Sequence, residues 1–178
     1  VMAVSETGFA PALLTDAAKS LAQRLPVGLC LPVNGEPAQQ ATSLPATSAL
    51  VDDEFWFMQA PRPQIIIIGA VHISQHLASM ATQSGFDVTV IDPRRTFATV
   101  ERFSGIKLVF DWPDRVLGEM TLDQETALVA LTHDPKIDDA ALHLVLGKPL
   151  FHIACLGSRR THAARLERLA AAGFDADV

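Results

Sequence analysis

The sequence predicts an α/β fold, a Rossmann-like doubly wound parallel sheet preceded by a short, less regular N-terminal segment. Three observations support this prediction. The run at residues 64–68, in which Gln64 is followed by four β-branched isoleucines, is typical of a strand buried on both faces of a parallel sheet. Apolar residues then recur at helical spacing up to Gly85, and a second strand pattern follows at 87–91. From there, strand and helix patterns alternate to the end of the chain, as in βαβ units.

The N-terminal part of the chain, residues 1–60, has the weaker pattern. Residues 12–25 predict a helix whose apolar face carries Leu14, Ala18, Leu21 and Leu25. Residues 26–45 are rich in Pro, Gly, Ser, Thr and Gln and predict a loop or linker. Aromatic residues at 54–58 predict a strand. We therefore expect an N-terminal segment and linker over 1–60 and a Rossmann-like domain over 61–178.

The Rossmann-like domain is predicted to contain five strands, at 64–68, 87–91, 106–110, 126–131 and 150–154. A helix is expected between the first two strands, another between the last two, and a final one at 158–172. Ligands of such folds bind outside the carboxyl ends of the strands, near the point where the strand order reverses. The residues that directly follow the strands are therefore the candidates for a binding site.

Composition excludes several classes of protein. Apolar residues make up 49% of the chain, which is enough for a packed core. A net charge of −6 argues against binding to nucleic acid, and the longest apolar run, residues 65–71, is far too short to span a membrane. Cys30 and Cys155 form neither a disulfide framework nor a metal-type pair, and the chain shows no secretory pattern. A cytoplasmic protein is expected.

The turn after the first strand raises the question of a dinucleotide site. The usual G-x-G-x-x-G pattern has three glycines, whereas here Gly69 is followed by Val71 and Ser74 at the second and third places. Asp92 lies 23 residues after Gly69, close to the spacing of the acid that binds a ribose hydroxyl. Acidic residues are also common at strand ends, so the spacing leaves a structural role open.

Histidines follow two of the predicted strands: His72 and His76 follow the first, and His133 follows the fourth, directly before a predicted helix start. Asp134 followed by Pro135 is typical of an N-cap and first helical residue, which leaves His133 freer to contact a ligand. His72 and His76 are four residues apart, as in some metal sites, but no third ligand has a matching spacing. No metal site is predicted. The residues after the strands form neither a hydrolytic triad nor a carboxylate pair, so we predict no catalytic residue.

The start of the final helix is the most informative stretch. Ser158 is a natural N-cap, so Arg159 and Arg160 fall in the first turn, where the helix dipole disfavours cations by roughly 0.3–1 kcal/mol each. A bound anion would remove this conflict, because free N–H groups and guanidinium groups both favour phosphate. The alternative is that both arginines point to water or pair with acids elsewhere.

Four stretches, GAVHISQHLA, VIDPRRTFATVERF, LTHDP and LGSRRTHAARLERL, resemble the carboxy-terminal Rossmann domain of the XdhC/CoxI family over roughly residues 54–175. These are accessory proteins of xanthine and carbon monoxide dehydrogenases. The resemblance implies a non-catalytic factor that binds molybdenum cofactor (molybdopterin) and assists its sulfuration with a cysteine desulfurase. Insertion into an apo molybdenum hydroxylase would follow. A homodimer is also implied.

Carried over residue by residue, the resemblance implies a cofactor site made of Gly69, His72, Asp92, Arg94, Thr132, His133, Asp134, Gly157, Ser158, Arg159 and Arg160. The family has GAGH where this chain has GAVH, so Val71 hinders the close approach of a pyrophosphate and argues against NAD(P). Residues 1–50 contribute almost nothing to the resemblance and show no match to the family's amino-terminal domain with its cysteine motif, and Cys30 is not given that role.

Three hypotheses remain open. The first is a cofactor carrier, and the second is a nucleotide-dependent oxidoreductase that binds NAD(P). The third is a structural half of a larger complex, with the amino-terminal domain supplied by a separate partner chain. Loss of ligand binding at the glycine-poor turn also remains open.

Overall fold

The structure is a computed structural model that describes residues 8–44 and 47–174. The chain divides between Pro61 and Arg62 into two compact units. Within the described residues, none of the helices has the length and apolar character needed to cross a membrane. The predicted loop end at residue 45 and the last residues of the predicted domain, 175–178, lie outside the described ranges.

The first unit is a four-stranded antiparallel sheet with one helix. Its elements are α1 (Pro11–Ala22), β1 (Val27–Pro32), β2 (Gln39–Gln40), β3 (Ala49–Val51) and β4 (Glu54–Gln59), and the strand order is β2-β1-β4-β3. Val27, Leu29, Leu31 and Ala38 form its small core, against which apolar side chains of α1 and β4 pack. The predicted aromatic strand is confirmed as β4.

Two predictions for this unit were wrong. Residues 26–45 were expected to form a loop, yet they contain β1 and β2, because β1 pairs along its full length with the aromatic strand β4. The expected helix face was also misplaced by one position. Leu13, Ala17 and Leu21 pack on the core, whereas Leu14, Ala18 and Leu25 are exposed. Adjacent leucines at 13 and 14 satisfy either helical face, so only the sheet decides which one is buried.

The second unit is a Rossmann-like domain, and the predicted fold class is confirmed. Its elements are β5 (Gln64–Ile68), α2 (His72–Gln83), β6 (Asp87–Ile91), β7 (Lys107–Val109), α3 (Pro113–Gly118), β8 (Thr126–Ala130), α4 (Pro135–Val145), β9 (His152–Cys155) and α5 (Arg159–Ala171). All five strands are parallel, in the order β7-β6-β5-β8-β9. The short helix α3 was not predicted, and β9 begins two residues later than expected.

The central strand β5 explains the isoleucine run. Ile65 and Ile67 pack into one apolar cluster with α2, and Ile66 and Ile68 pack into a second cluster with α4. Because successive side chains of a strand point to opposite faces, a strand covered on both sides carries apolar residues in succession. Gln64 at its start is also buried, and its amide donates to Thr126 Oγ1 at 2.8 Å. The two layers hold β5 in the middle of the sheet and place its carboxyl end between those of β6 and β8.

Candidate functional site

The predicted site residues follow four strands at one edge of the parallel sheet. Since β5 lies between β6 and β8, the strand order reverses direction there, and the crevice outside such a point is where ligands of this fold bind. The segments after β5, β6, β8 and β9 all start at that edge. The structure therefore brings the predicted segments to a common edge, but their side chains differ in how much they face solvent.

The β5–α2 turn is closed by protein atoms. Gly69 has a φ of +107°, and a Cβ placed on it would lie 2.5 Å from Thr132 Cγ2. The buried Ser74 hydroxyl donates a hydrogen bond to the Gly69 carbonyl. Glycine is thus required by backbone conformation and by the close approach of Thr132. Ser74, at the third glycine position of the nucleotide pattern, stabilises the turn.

Asp92 is fully buried and is saturated with hydrogen bonds. Its Oδ2 accepts from the Ala70 N–H at 2.8 Å and from Arg94 Nη2 at 2.8 Å, and its Oδ1 accepts from Arg94 N and Nε, both at 2.9 Å. The carboxylate therefore ties the end of β6 to the β5–α2 turn. It does not face the crevice in the way that a ribose-binding acid must.

The pKa of Asp92 follows from these contacts. Burial by itself raises the pKa, but the hydrogen bonds from the Arg94 side chain and from the Ala70 and Arg94 backbone N–H groups outweigh it, so the pKa lies below its ordinary value. The Arg94 guanidinium, which is held by its hydrogen bonds to Asp92, lies over the Phe97 ring at 4.7 Å from the ring centre. The ion pair stays charged across the neutral range.

After β8, a second carboxylate organises the loop. Asp138 is 1% exposed and accepts from Thr132 Oγ1 at 2.6 Å and from the His133 N–H at 3.1 Å. Asp134 is the N-cap of α4 and accepts from Lys136 N at 3.0 Å, which is the structural role expected of it. His133 has a φ of +60° and an exposed side chain at this edge. A non-glycine residue in the left-handed region is strained, and such strain clusters at functional sites.

At the end of β9, the structure confirms the predicted start of α5. The Ser158 side chain accepts from the Thr161 N–H at 3.2 Å, so Arg159 and Arg160 occupy the first helical turn. Both arginines are exposed, and neither forms a side-chain hydrogen bond or ion pair with a described residue. A Cβ on Gly157 would lie 3.2 Å from Thr161 Cβ, so packing explains this glycine.

Sequence reasoning missed two buried residues that join these loops, Asp138 and Arg165. Arg165 on α5 is 3% exposed, donates from Nη2 to the Leu156 carbonyl at 3.2 Å, and lies 3.6 Å from Asp138 Oδ2. It thereby connects the segment after β9 to the loop after β8. Helical spacing could have indicated that Arg165 is buried, because it lies four residues before the buried Leu169 on the same face of α5.

The remaining candidates contribute no metal centre or activated nucleophile. His72 and His76 are exposed and form a T-shaped pair with ring centres 5.0 Å apart. Across residues 8–44 and 47–174, no group of three or more potential ligands could hold a metal ion. Burial raises the pKa of the Cys155 thiol, and the nearby Arg165 only partly offsets that effect, so this cysteine is not an activated thiolate.

Comparisons with known proteins agree with this architecture. A protein of Bacillus subtilis (strain 168), described as a probable xanthine dehydrogenase subunit, is 31% identical over 110 residues, which cover 61% of this chain and 32% of that protein. A crystal structure of a xanthine dehydrogenase from Bacillus halodurans matches with a TM-score of 0.70 at 20% identity, covering 86% of this chain and 55% of that chain. The second match shows the fold alone.

The matched part of this chain spans about a third of the length of the curated relative, 32% of it. The family of the XdhC Rossmann domain matches residues 65–178, which include every element from α2 to α5 and nearly all of β5. This match confirms the resemblance carried by the four sequence stretches. The chain belongs to the XdhC Rossmann domain family.

Proposed function

We propose that this chain is the cofactor-binding part of a maturation factor for a molybdenum hydroxylase of the xanthine dehydrogenase type. Family membership and the curated relative, named as a probable xanthine dehydrogenase subunit, support this proposal. In this role the chain holds molybdenum cofactor at the carboxyl edge of the parallel sheet. It delivers the cofactor to the apo-hydroxylase after sulfuration by a cysteine desulfurase. Service to a carbon monoxide dehydrogenase is a narrower variant of the same proposal.

The observation that carries the proposal is the start of α5. Arg159 and Arg160 are exposed in the first turn of a 13-residue helix, and no described residue neutralises them. Free backbone N–H groups at that end add to the positive potential. The phosphate of a pterin cofactor fits this set of donors. The exposed His133 lies at the end of the adjacent strand β8, at the same edge.

The second candidate, an NAD(P)-dependent oxidoreductase, is less well supported. In a dinucleotide site, backbone N–H groups of the glycine turn bind the pyrophosphate and an acid binds the ribose. Here the Ala70 N–H already donates to Asp92, and Asp92 is itself buried and paired with Arg94. Val71, the residue before α2, also carries the side chain that the second glycine would lack. Both features remove contacts that the dinucleotide requires.

The chemistry assigned to this chain is binding and protection. When bound, the cofactor supplies the molybdenum redox centre that the hydroxylase uses. The residues of this chain provide cationic and N–H donors at α5 and a rigid edge in which Asp92 and Asp138 hold the neighbouring turns. A homodimer, and a separate partner chain that carries the amino-terminal domain, belong to the same proposal.

The test is an anaerobic titration of the purified protein with molybdenum cofactor, with NADH and NADPH in parallel. We expect saturable binding of the cofactor alone. Arg159→Ala is expected to weaken it by about 1–3 kcal/mol, the scale of a charge-assisted hydrogen bond. Arg115→Ala, at an arginine that is 71% exposed on α3, is the matched control and should change nothing. Binding of a nicotinamide nucleotide alone would contradict the proposal and instead favour the oxidoreductase hypothesis.

A further inference from the structure

A groove of about 700 Å³ runs along β9, the last strand of the parallel sheet. It is lined by the C-terminal part of α4, by β9 and its preceding loop, and by the face of α5 that carries Leu166 and Leu169. Leu169 is 8% exposed, but Leu166 is 47% exposed, and Phe151 beside β9 is 52% exposed. Apolar side chains that would normally be covered are therefore open on this side of the domain.

The groove lies where a sixth strand would add to the sheet. The dinucleotide-binding form of this fold has six strands in the order 3-2-1-4-5-6, and β9 corresponds to the fifth. Among the described residues, β9 pairs with β8 and with no other strand. The Leu156 N–H donates to the Ala130 carbonyl of β8 at 2.9 Å, so the two-residue alternation directs the N–H groups of Ile153 and Cys155 to the open edge.

A buried charge in the wall of the groove lacks part of its hydrogen bonding. Arg165 lines the groove and is 3% exposed, yet its Nε and Nη1 atoms have no hydrogen-bond acceptor in the described part of the chain. A buried charged donor without an acceptor is unfavourable, because it has lost its water and gained no partner. Carbonyl or carboxylate oxygens brought by an added segment would satisfy these donors.

The charge of the groove indicates the kind of segment. Among the described residues, its ionisable lining groups are Lys148, His152, His162 and Arg165 together with the neutral thiol of Cys155, and no carboxylate of these residues lines it. An acidic segment is complementary to this set. A second copy of the chain paired through its own β9 would bring Lys148 and no lining carboxylate of the described residues, so it lacks the complementary charge.

We propose that β9 is a docking edge for an extended segment of a partner polypeptide with alternating apolar and acidic side chains. The segment adds to the sheet as its sixth strand. Its apolar side chains cover Leu166 and Phe151, and its backbone bonds the open edge of β9. An acidic or carbonyl oxygen accepts from Arg165. This inference is independent of cofactor binding at the start of α5.

The experiment selects twelve-residue peptides from a random displayed library against the full chain, followed by affinity measurement with synthetic copies. We expect enrichment of alternating β-branched and acidic residues. Leu166→Glu should weaken binding at least about tenfold, the effect of one unpaired charge in an apolar contact. Met80→Glu, at a methionine that is 59% exposed on α2, is the matched control and should leave the affinity unchanged. Hydrogen exchange at the Ile153 and Cys155 amides should slow when peptide is bound.

Other results would overturn the proposal. Failure to enrich peptides, or peptides whose affinity is the same for Leu166→Glu and Met80→Glu, would show that the groove is not a docking edge. Dimerisation abolished by Leu166→Glu would assign the groove to a second copy. Inorganic phosphate binding that is lost in Arg165→Met, without peptide binding, would assign it to a small anion.

Discussion

At the scale of single residues, Gly69 is held in place by a close contact with a distant strand end. A Cβ there would lie 2.5 Å from Thr132 Cγ2, and the φ of +107° is unfavourable for any residue with a side chain. We expect Gly69→Ala to lower the free energy of unfolding by about 1–3 kcal/mol from backbone strain alone, with the steric contact adding to this loss. Urea denaturation measures the change.

Two variants separate backbone strain from the steric contact. Gly105 also has a positive φ, +75°, but a Cβ there would meet nothing within 4 Å, so Gly105→Ala reports the strain without the contact. The double variant Gly69→Ala, Thr132→Ser removes Cγ2 and keeps the hydroxyl that donates to Asp138. Recovery of part of the lost stability is expected. Equal losses in Gly69→Ala and Gly105→Ala would show that the contact with Thr132 has no effect.

The lowered pKa of Asp92 predicts how the free energy of unfolding depends on pH. Its folded-state pKa is lowered, so its contribution to stability is fully present above the unfolded-state pKa of about 4 and is lost as the pH falls through the lower folded-state value. We expect the loss of unfolding free energy in Asp92→Asn to be largest at neutral pH and to shrink in acid. Asp87→Asn, at a side chain that is 58% exposed, is the control. A loss that does not change with pH would contradict the assignment.

The spacing of 23 residues between Gly69 and Asp92 illustrates a limit of sequence reasoning. It is close to the spacing of an acid that binds a ribose hydroxyl, yet in the structure Asp92 accepts a hydrogen bond from the Ala70 N–H at 2.8 Å. Whether the carboxylate faces a ligand or the protein depends on Arg94, whose side chain covers it. Spacing constrains where a strand ends, but the direction of a polar group depends on its partners.

At the scale of elements, the arginines at the start of α5 are expected to lower the free energy of unfolding while they favour anion binding. Replacing Arg159 by glutamate puts a favourable charge at the positive end of the helix dipole and should raise the free energy of unfolding by about 0.3–1 kcal/mol. The same change should abolish binding of an anionic cofactor. Thermal unfolding and the cofactor titration measure the two effects on one variant. A variant that is less stable would indicate that Arg159 makes a contact that supports the fold.

Elements with strong local signals were predicted, and elements that depend on pairing were not. The N-caps of α4 and α5 were correct because Asp134 and Ser158 act within three residues of themselves. Strand β1 was missed because its sequence, which contains Gly and Pro, becomes a strand by pairing with β4 more than 20 residues later. Long-range pairing of this kind leaves little trace in local composition.

At the scale of the whole molecule, the division at Pro61 and Arg62 predicts independent folding of the second unit. Both apolar clusters on the two faces of the parallel sheet consist entirely of residues from that unit. We expect a fragment of residues 62–178 to unfold cooperatively on heating and to show the circular dichroism of an α/β protein. Binding of a hydrophobic dye, with no cooperative transition, would contradict this expectation.

The sequence by itself determined the alternation of strands and helices, the buried central strand, the helix starts and the family, because each depends on periodicity or on motifs within a few residues. Only the tertiary structure decided how these pieces are used. Asp92 is paired with Arg94, Thr132 closes the turn at Gly69, and Arg165 lies buried beside Asp138. These contacts join residues that become neighbours only when parallel strands align, and the burial that results sets the charge and reach of each side chain.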